Sequence, residues 1–409
     1  MKEWKTYKLY EVANLITGFP FAGEKYAKEG IRVVRGDNVT IGALRWDSEK
    51  LKCWNEPFDR FNEFSLKEGD IVIGMDGSRV GQNRAQVKNE DLPLLLAQRV
   101  ACIRNNEKSI QDFLYYLIFN NRFVDYVKQV QTGTSIPHIS LKQIGNYEVN
   151  LPSIETQTKI SQILRALDNK IEINKRINDN LEQQAQALYK SWFVDFEPFK
   201  DGEFVESEMG EIPVGWTVVK LSDLTEIPKK TINPQKFPET IFKHYSLPAC
   251  DNGLIPENQT GKDIMSNKII LQNNTTLFSK LNPRIKRIWF TCEVQPNSIC
   301  STEFIPYRAT NENESGYIFS IINSEAFYAS VMGCVNGATG SHQRFHAEDT
   351  DDFLCAYNKE SANEFSQHID VILKQMHDLR QENVKLASIR DTLLPKLMSG
   401  ELKINEIDC

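Results

Sequence analysis

The feature that most constrains this 409-residue sequence is a heptad pattern across residues 160–192, a stretch without proline or glycine. Apolar residues recur at alternating spacings of three and four, as in the seam of a coiled coil. Eight of the ten seam positions are apolar: Ile160, Leu164, Leu167, Ile171, Asn174, Asn178, Leu181, Ala185, Leu188 and Trp192. Such a helix exposes an apolar stripe unless another helix covers it, so the chain needs a packing partner for this segment.

A second stretch with the same pattern lies about 205 residues further along the chain. Eight of its ten seam positions are again apolar: Phe365, Ile369, Ile372, Met376, Leu379, Asn383, Leu386, Arg390, Leu393 and Leu397. Ser361 and Glu364 have the spacing of a capping box, and Gly400 is placed to end the helix. The chain therefore supplies its own partner helix.

The segments that precede the two helices also resemble each other. "WKTYKLYEV" (4–12) resembles "WTVVKLSDL" (216–224), and "GTSIPH" (133–138) resembles "GATGSH" (337–342). The sequence therefore predicts a tandem duplication, roughly residues 1–200 and 210–409, in which each half is a globular domain followed by a long helix.

A whole domain separates the two helices in the chain, which favours an antiparallel pair. A pseudo-two-fold axis near residue 176 places Asn174 opposite Asn383 and Asn178 opposite Leu379. A polar asparagine in an apolar seam lowers stability but fixes the alignment. We therefore expect Asn174, Asn178 and Asn383 to set the register of the helix pair.

Short alternating runs, such as "GDIVIGM" (69–75) and "QRVACIR" (98–104), predict strands, and a helix is predicted over 109–130. The predicted fold class is mixed α/β, with two globular α/β domains in tandem pseudo-repeat, separated by two long helices that form an antiparallel coiled coil. The predicted segments are a first domain at 1–151, a central helix at 152–197, a linker at 198–212, a second domain at 213–355 and a C-terminal helix at 356–409.

Bulk composition narrows the class of protein further. No apolar run approaches the roughly 20 residues of a membrane span, and the N-terminus has no signal-peptide pattern, so we expect a cytoplasmic protein with no membrane partner. The 8 cysteines are scattered without metal-ligand spacing, which predicts reduced, mostly buried thiols. The net charge of −7 argues mildly against nucleic acid, although a local basic face matters more than the total.

Several loop regions concentrate side chains that suit DNA. Arginine forks match guanine O6 and N7, asparagine and glutamine amides match adenine, and small hydroxyls suit phosphate. The candidate DNA-binding residues of the first half are Arg35, Asn38, Ser78, Arg79, Gln82, Asn83, Arg84, Thr134, Ser135 and His138. Those of the second half are Lys280, Arg284, Lys286, Arg287, Ser341, His342, Gln343 and Arg344. Any one such loop is more often ordinary hydrated surface, but a duplicated scaffold with diverged loops is what two modules for two sequences would need.

No catalytic constellation is recognisable in the sequence. Gly261-Lys262 lacks the other residues of a phosphate-binding loop. Asp391, Glu401 and Lys403 imitate a nuclease string, but Asp391 falls on the predicted helix and Glu401 beyond it. The pattern predicts a binding protein with no catalytic residues and no metal site.

In this setting the chain resembles the specificity subunits of type I restriction–modification systems along essentially its whole length. The resemblance is carried by "GDIVIGMDGSRVG" with "LAQRVACIR", by "GTSIPHISLKQIGNYEVNLPSIETQTKI", by "GEIPVGW" (210–216) and by "LRQENVKLASIRDTLLPKLMSGEL" near the end. "GATGSHQRFH" and residues 229–280 depart from the family pattern, which weakens the assignment of DNA contacts in the second half.

The resemblance implies two target recognition domains, each reading one half of a split site in double-stranded DNA. It also implies docking of two methyltransferase subunits and of restriction subunits. S-adenosylmethionine, ATP and magnesium would belong to those partners, and this chain would hold no cofactor. Two alternatives remain open: a stand-alone DNA-modifying or DNA-cleaving enzyme, and a coiled-coil scaffold that does not bind DNA.

Overall fold

The computed structural model of the chain describes residues 4–57, 59–133, 135–335 and 343–402. The chain divides into two compact units: an N-terminal unit of residues 1–169 and 387–409, and a central unit of residues 170–386. Each unit combines a globular part with a segment of both long helices.

The N-terminal unit is built from short strands and short helices that lead into one long helix. Its elements are β1 Lys5–Lys8, α1 Leu9–Val12, β2 Ala13–Thr17, β3 Ile31–Val34, β4 Cys53–Trp54, β5 Ile71–Gly74, β6 Arg84–Gln86, β7 Leu94–Leu96, β8 Val100–Asn105, α2 Gln111–Ile118, α3 Asn121–Val130, α4 Leu141–Gly145, β9 Glu148–Leu151 and the long α5 Ile154–Phe193, which continues into the central unit.

Two sheets form the centre of the N-terminal unit. One has the antiparallel order β2-β8-β5-β6; the other has the order β4-β3-β7, in which β3 and β7 run parallel. Strand β5 is buried on both faces because alternate side chains enter different cores. Ile71 and Ile73 share a core with Phe113 of α2, whereas Val72 shares a core with Val34 of β3. Burial on both faces fixes the end of β5, where the first candidate loop begins.

The central unit repeats this construction with more strands. Its further elements are β10 Phe204–Ser207, β11 Gly210–Pro213, β12 Thr217–Lys220, α6 Leu221–Leu224, β13 Thr225–Glu226, β14 Thr231–Ile232, β15 Ile241–Tyr245, α7 Leu247–Asp251, β16 Glu257–Thr260, β17 Lys268–Ile270, β18 Thr275–Ser279, β19 Ile288–Thr291, β20 Ser298–Cys300, β21 Phe304–Ala309, α8 Ser315–Asn323, α9 Glu325–Cys334, β22 Leu354–Tyr357 and the long α10 Lys359–Ser399, whose end belongs to the N-terminal unit.

The sheet topology confirms the predicted duplication. The order β13-β21-β18-β19 repeats β2-β8-β5-β6, and the antiparallel pair β12–β22 repeats β1–β9. The second sheet of the central unit, β14-β17-β20-β15-β16, contains the parallel pair β15–β20, which corresponds to β3–β7. Each unit is therefore a mixed α/β domain of the same design.

The long helices pack against each other antiparallel, as predicted. In the central unit, Asn174 of α5 meets Asn383 of α10, while Trp192 near the end of α5 lies beside Phe365 near the start of α10. In the N-terminal unit, Ile160 and Leu397 belong to one core cluster. None of the predicted seam positions on either helix is exposed. The heptad pattern therefore identified the buried face of both helices.

The predicted asparagine pair is in direct contact within the seam. The Asn174 side-chain amide is fully buried; it donates to Oδ1 of Asn383 at 2.9 Å and to the carboxylate of Glu382 at 2.7 Å. Asn178 is also buried. At the other predicted polar position, Arg390 donates to the carboxylate of Asp168 at 2.8 Å.

The register role of the asparagine pair leads to a stability prediction. Asn174→Leu is expected to destabilise the protein by about 1–3 kcal/mol, because it leaves a partly buried amide without its partner. Replacing both Asn174 and Asn383 by Leu is expected to recover that loss, since an apolar seam needs no polar partner. Urea unfolding of the two single variants and the double variant gives the coupling energy, with the exposed Asn180→Leu as the matched control. A double variant no more stable than the singles would contradict the pairing.

The carboxyl of Asp370 on α10 is half-buried against α8 and accepts a hydrogen bond from the Ser315 hydroxyl at 3.4 Å. Burial raises the pKa of Asp370 to about 6, and the Ser315 hydroxyl opposes that shift. The folded state therefore binds this proton more tightly than the unfolded chain does. Stability from this group is greatest below about pH 4 and falls as the pH rises to about 6.

Asp370→Asn is accordingly expected to stabilise the protein by about 1–2 kcal/mol at pH 8, after allowance for the partial exposure of the side chain. Near pH 4 the variant and the wild type should be equally stable. Urea unfolding at both pH values measures the difference, with Asp378→Asn on the exposed face of the same helix as control. An equal stabilisation at both pH values would show that the charge of Asp370 is not the cause.

Three local predictions were wrong. The helix predicted over 109–130 is interrupted, because Asn120 adopts an extended conformation and its side chain accepts from the Arg122 amide to start α3. Helix α10 begins before the predicted capping box: Asn358 accepts from the Ser361 amide at 3.0 Å. The segment 198–212 contains the strand β10 paired with β11 and is not a simple linker.

Candidate nucleic-acid interface

In the N-terminal unit the loop after β5 and the loop before α4 are joined by backbone hydrogen bonds. The amide of Gly77 donates to the Pro137 carbonyl at 3.0 Å, and the amide of Ile139 donates to the Met75 carbonyl at 2.9 Å. Gly77 has φ +107°, a conformation that favours glycine. Two segments separated by about 60 residues in the sequence thus form one edge of the domain.

A carboxylate links three polar side chains at this edge. Oδ1 of Asp76 lies 2.5 Å from Nδ1 of His138, and Oδ2 lies 3.4 Å from Nη1 of Arg99. Arg99 stands immediately before β8, the neighbour of β5 in the sheet. Its backbone carbonyl accepts from the Met75 amide, which fixes this turn beside the loop.

The joined loops border a cleft of about 690 Å³. Four arginines line it, along with amide and aromatic side chains; the polar and aromatic lining includes Tyr26, Arg35, Arg45, Asn83, Arg79, Gln98 and Arg99. Positive charge, planar amides and an aromatic face are the groups that contact phosphates and base edges. Sequence reasoning missed Arg45, Gln98 and Arg99, because only the pairing of β5 with β8 brings the last two to the loop.

The predicted residues of this unit differ in how available they are. Ser78, Arg79 and Ser135 are exposed, while Gln82, Asn83 and His138 are half-buried. Arg35 is half-buried and donates to the Lys50 carbonyl, with its guanidinium 5.8 Å from the Tyr26 ring. Thr134 lies outside the described residues.

Asn38 and Arg84 are corrected, since neither is available to DNA. Asn38 is fully buried; its amide donates to the carbonyls of Arg45 and Lys50. Arg84 is 7% exposed, donates to the Gly81 carbonyl and lies over the Phe119 ring. Burial lowers the pKa of Arg84. Both side chains form hydrogen bonds with backbone carbonyls inside the domain.

The central unit joins its candidate loops in the same way. The amide of Lys280 donates to the Glu303 carbonyl at 2.9 Å, and that of Asn282 donates to the Gln343 carbonyl at 2.9 Å. Leu281 and Arg344 form an antiparallel bridge. Asn282 has φ +50°, at the place where the other unit has Gly77. The loops at 280–287 and 343–346 therefore form the matching edge.

Several predicted residues of this unit are engaged within the fold. Arg287 makes a two-pronged ion pair with Asp251 at 2.6 and 2.9 Å. The Lys286 ammonium donates to the Asn323 carbonyl at 2.6 Å, and burial of that group lowers its pKa. The ion pair and the burial of its side chain remove Arg287 from our candidate DNA contacts, whereas Lys286 is exposed and remains a candidate. Ser341 and His342 lie outside the described residues.

The remaining predicted residues of the central unit lie at the matching edge. Arg284 and Arg344 are exposed, and Arg344 is paired with Glu303. Lys280 and Gln343 are half-buried.

The backbone bonds define which residues of the two units correspond. Gly77 and Asn282 occupy equivalent places, and each accepts from the amide three residues later, so Arg79 corresponds to Arg284. Likewise His138 corresponds to Arg344, since each forms an antiparallel bridge with the second residue after the equivalent strand, Asp76 after β5 and Leu281 after β18. The sequence match of "GTSIPH" with "GATGSH" had instead aligned His138 with His342, so the motif alignment was shifted by two residues.

The described residues include no cluster of histidine, cysteine or acidic side chains that could hold a metal ion. Their helices contain no segment with the length and hydropathy of a membrane span. Free cysteines are found at positions 53, 102, 250, 292, 300, 334 and 355, and most are buried. Burial raises the pKa of Cys355 to about 12, which keeps this thiol protonated.

The fold has two halves of the same design, each with a loop edge that carries arginine, and comparisons with known proteins point to DNA recognition. A family model for the type I restriction modification DNA specificity domain matches residues 1–183. The type I restriction enzyme MjaIX specificity subunit of Methanocaldococcus jannaschii is 26% identical over 368 residues, which are 84% of this chain and 82% of that protein.

Two further similarities support the same assignment. The HindI specificity subunit of Haemophilus influenzae is 31% identical over 205 residues, 49% of this chain and 43% of that protein. The crystal structure of the type I restriction–modification S subunit from M. genitalium has the same fold, with a TM-score of 0.57 at 15% identity, covering 97% of this chain and 96% of that one. The chain is therefore similar, over most of its length, to specificity subunits of type I restriction–modification systems, and this similarity supports a role in DNA recognition.

Proposed function

We propose that each unit reads one half of a split site in double-stranded DNA through its joined loops, and that the helix pair sets the number of base pairs between the halves. The observation that carries this proposal is the recurrence of one loop architecture with an exposed arginine at the same place, Arg79 and Arg284, among different neighbours. Two loops with the same backbone structure but different side chains suit the reading of two different DNA sequences.

The partners follow from the family. Two methyltransferase subunits would dock on this chain, and restriction subunits would join them for cleavage. S-adenosylmethionine, ATP and magnesium would be bound by those subunits, and the present chain would contribute recognition without chemistry. The acidic balance of the chain, −7, is compatible with this division, since the partners would supply much of the positive surface that contacts phosphates.

The first test is a methylome. The chain is expressed with its methyltransferase partner in a host without DNA methylation, and modified bases are mapped by long-read sequencing. The expected result is a motif with two short specific halves around an unspecific gap of constant length. A continuous motif, or methylation that persists without this chain, would contradict the proposal.

The purified chain and its methyltransferase partner also distinguish the proposed function from a stand-alone enzyme and from a scaffold. A stand-alone enzyme would modify or cleave DNA as the purified chain, whereas the proposed subunit should do neither. A scaffold without a DNA role would leave the specificity of the methyltransferase unchanged. Protection of DNA that requires both proteins together supports the proposed function against both alternatives.

A further inference from the structure

Each loop edge carries a carboxylate–arginine pair, and the one position that the two pairs share, Arg99 or Glu303, carries opposite charges in the two units. Arg99 corresponds to Glu303, because each accepts at its carbonyl from the first residue after the preceding sheet strand, Met75 or Lys280. In one unit this position is therefore cationic, and in the other it is anionic.

In the N-terminal unit the arginine is the outer member of the pair. The Arg99 side chain is 65% exposed and the Asp76 side chain 32%, with 3.4 Å between Nη1 and Oδ2. His138 contacts the other oxygen of Asp76. The Asp76 carboxylate thus contacts His138 with one oxygen and Arg99 with the other, and the more exposed Arg99 lines the cleft.

In the central unit the pair is built in the opposite direction. Arg344 reaches Glu303 with two contacts of 3.2 Å each, Nε to Oε2 and Nη2 to Oε1. The Arg344 side chain is 44% exposed and that of Glu303 is 29% exposed. The arginine is again the outer partner, although it now comes from the position of His138.

A carboxylate behind an arginine changes what the arginine can recognise. A free arginine side chain loses roughly 2 kcal/mol of rotamer freedom when it is fixed. An ion-paired carboxylate restricts it before DNA arrives and occupies only some of its five N–H donors. The remaining donors lie in a plane and match guanine O6 and N7, whereas a phosphate contact needs no such orientation.

We propose that Arg99 and Arg344 are specificity-determining residues that read a guanine in their respective half-sites, with Asp76 and Glu303 as the positioning residues behind them. This inference rests on the proposed function and adds the base class that each half-site contains. The two arginines come from non-equivalent positions in loops that have the same backbone structure. The two guanines therefore occupy different positions within their half-sites.

The experiment uses the full chain with its methyltransferase partner and a pool of DNA sites randomised within each half. Arg99→Ala is expected to reduce the preference for guanine at one position of one half-site by about 5- to 150-fold, the usual value of a bidentate base contact. Arg344→Ala should do the same at one position of the other half-site. Arg99→Lys keeps the charge but not the fork, and should relax that base with little loss of total modification.

The positioning residues have their own readout. Asp76→Asn and Glu303→Gln should weaken the guanine preference at the same two positions, by less than loss of the arginine. Asp76→Glu keeps a carboxylate and should restore part of the preference. Urea unfolding checks that all variants are folded, and Arg122→Ala, on the exposed face of α3, is the control that should leave the guanine position unchanged.

Several outcomes would overturn the inference. If Arg99→Ala lowers modification of all sequences equally, the residue contacts phosphate and does not read a base. If the lost preference is for a base other than guanine, or spreads over both half-sites, the assignment is wrong. A wild-type chain that produces no split motif would instead overturn the proposed function, so the two failures are distinguishable.

Discussion

Insertion of three heptads into each long helix is expected to lengthen the gap between the two half-sites by about nine base pairs. At 1.5 Å per residue, 21 residues add about 32 Å, and DNA rises 3.4 Å per base pair. The insertions are placed after Arg176 in α5 and before Gln381 in α10. These two points lie opposite each other in the antiparallel pair, next to the Asn174–Asn383 contact. Leucine and isoleucine at the added core positions would let the new turns pack without another polar pair.

The number of heptads matters because the helix pair supercoils and the DNA duplex twists. Added length therefore rotates one recognition domain, and its half-site, relative to the other. A left-handed supercoil with a pitch of about 150 Å turns by about −75° over 32 Å. Nine base pairs at about 10.5 per turn leave the DNA about −50° from a whole turn. The two rotations nearly agree for three heptads, whereas a single heptad adds about three base pairs and places the second half-site on a different face of the DNA.

The readout is again the methylome, and the effect should be large. Displacing one half-site by several base pairs loses most of its contacts; at about 1–3 kcal/mol per mismatched pair, the original motif should lose on the order of 10³-fold in modification. The one-heptad variant is the matched control and should lose activity at every gap length. A three-heptad variant that still modifies the original gap would show that the helices do not set the spacing.

The helix pair was predictable from sequence because its information is local. A seam repeats every seven residues, so each position could be assigned from its neighbours, and antiparallel geometry then placed Asn174 opposite Asn383. The same reasoning put Arg390 in the seam, where Asp168 neutralises it. Local patterns failed only at helix boundaries, where one side-chain cap, such as Asn120 or Asn358, decides the outcome.

The loop edge of each unit was only partly predictable from the sequence, because it is assembled by pairing of strands that are distant in the chain. Arg79 was found from its loop, but Arg99 stands in a turn that looks like the start of an apolar strand. Conversely, Asn38 and Arg84 have the right residue types and point inward. Whether a polar residue in a loop faces water or the core depends on the sheets beneath it, and one sequence read alone does not contain that information.

Loss of the arginine at the tip of either loop should relax one half-site and leave the other unchanged. Arg79→Ala removes an exposed guanidinium that lines the cleft of the N-terminal unit, and Arg284→Ala removes its counterpart in the central unit. A good bidentate base contact contributes about 1–3 kcal/mol of discrimination, so each variant should lose about 5- to 150-fold in selectivity at one base pair. Selection from a randomised site pool, followed by sequencing, measures both halves in one experiment.

The lysine variants decide what each arginine touches. If Arg79 contacts a phosphate, Arg79→Lys should keep both affinity and selectivity, and Arg79→Ala should weaken all sequences alike while reducing the salt dependence of binding by about one unit of slope. If Arg79 reads a base, Arg79→Lys should lose selectivity at the same position as Arg79→Ala. Arg122→Ala, which removes an exposed arginine from α3 of the same unit, controls for net charge. Relaxation of both half-sites by either alanine variant would mean that the loops do not read DNA as independent modules.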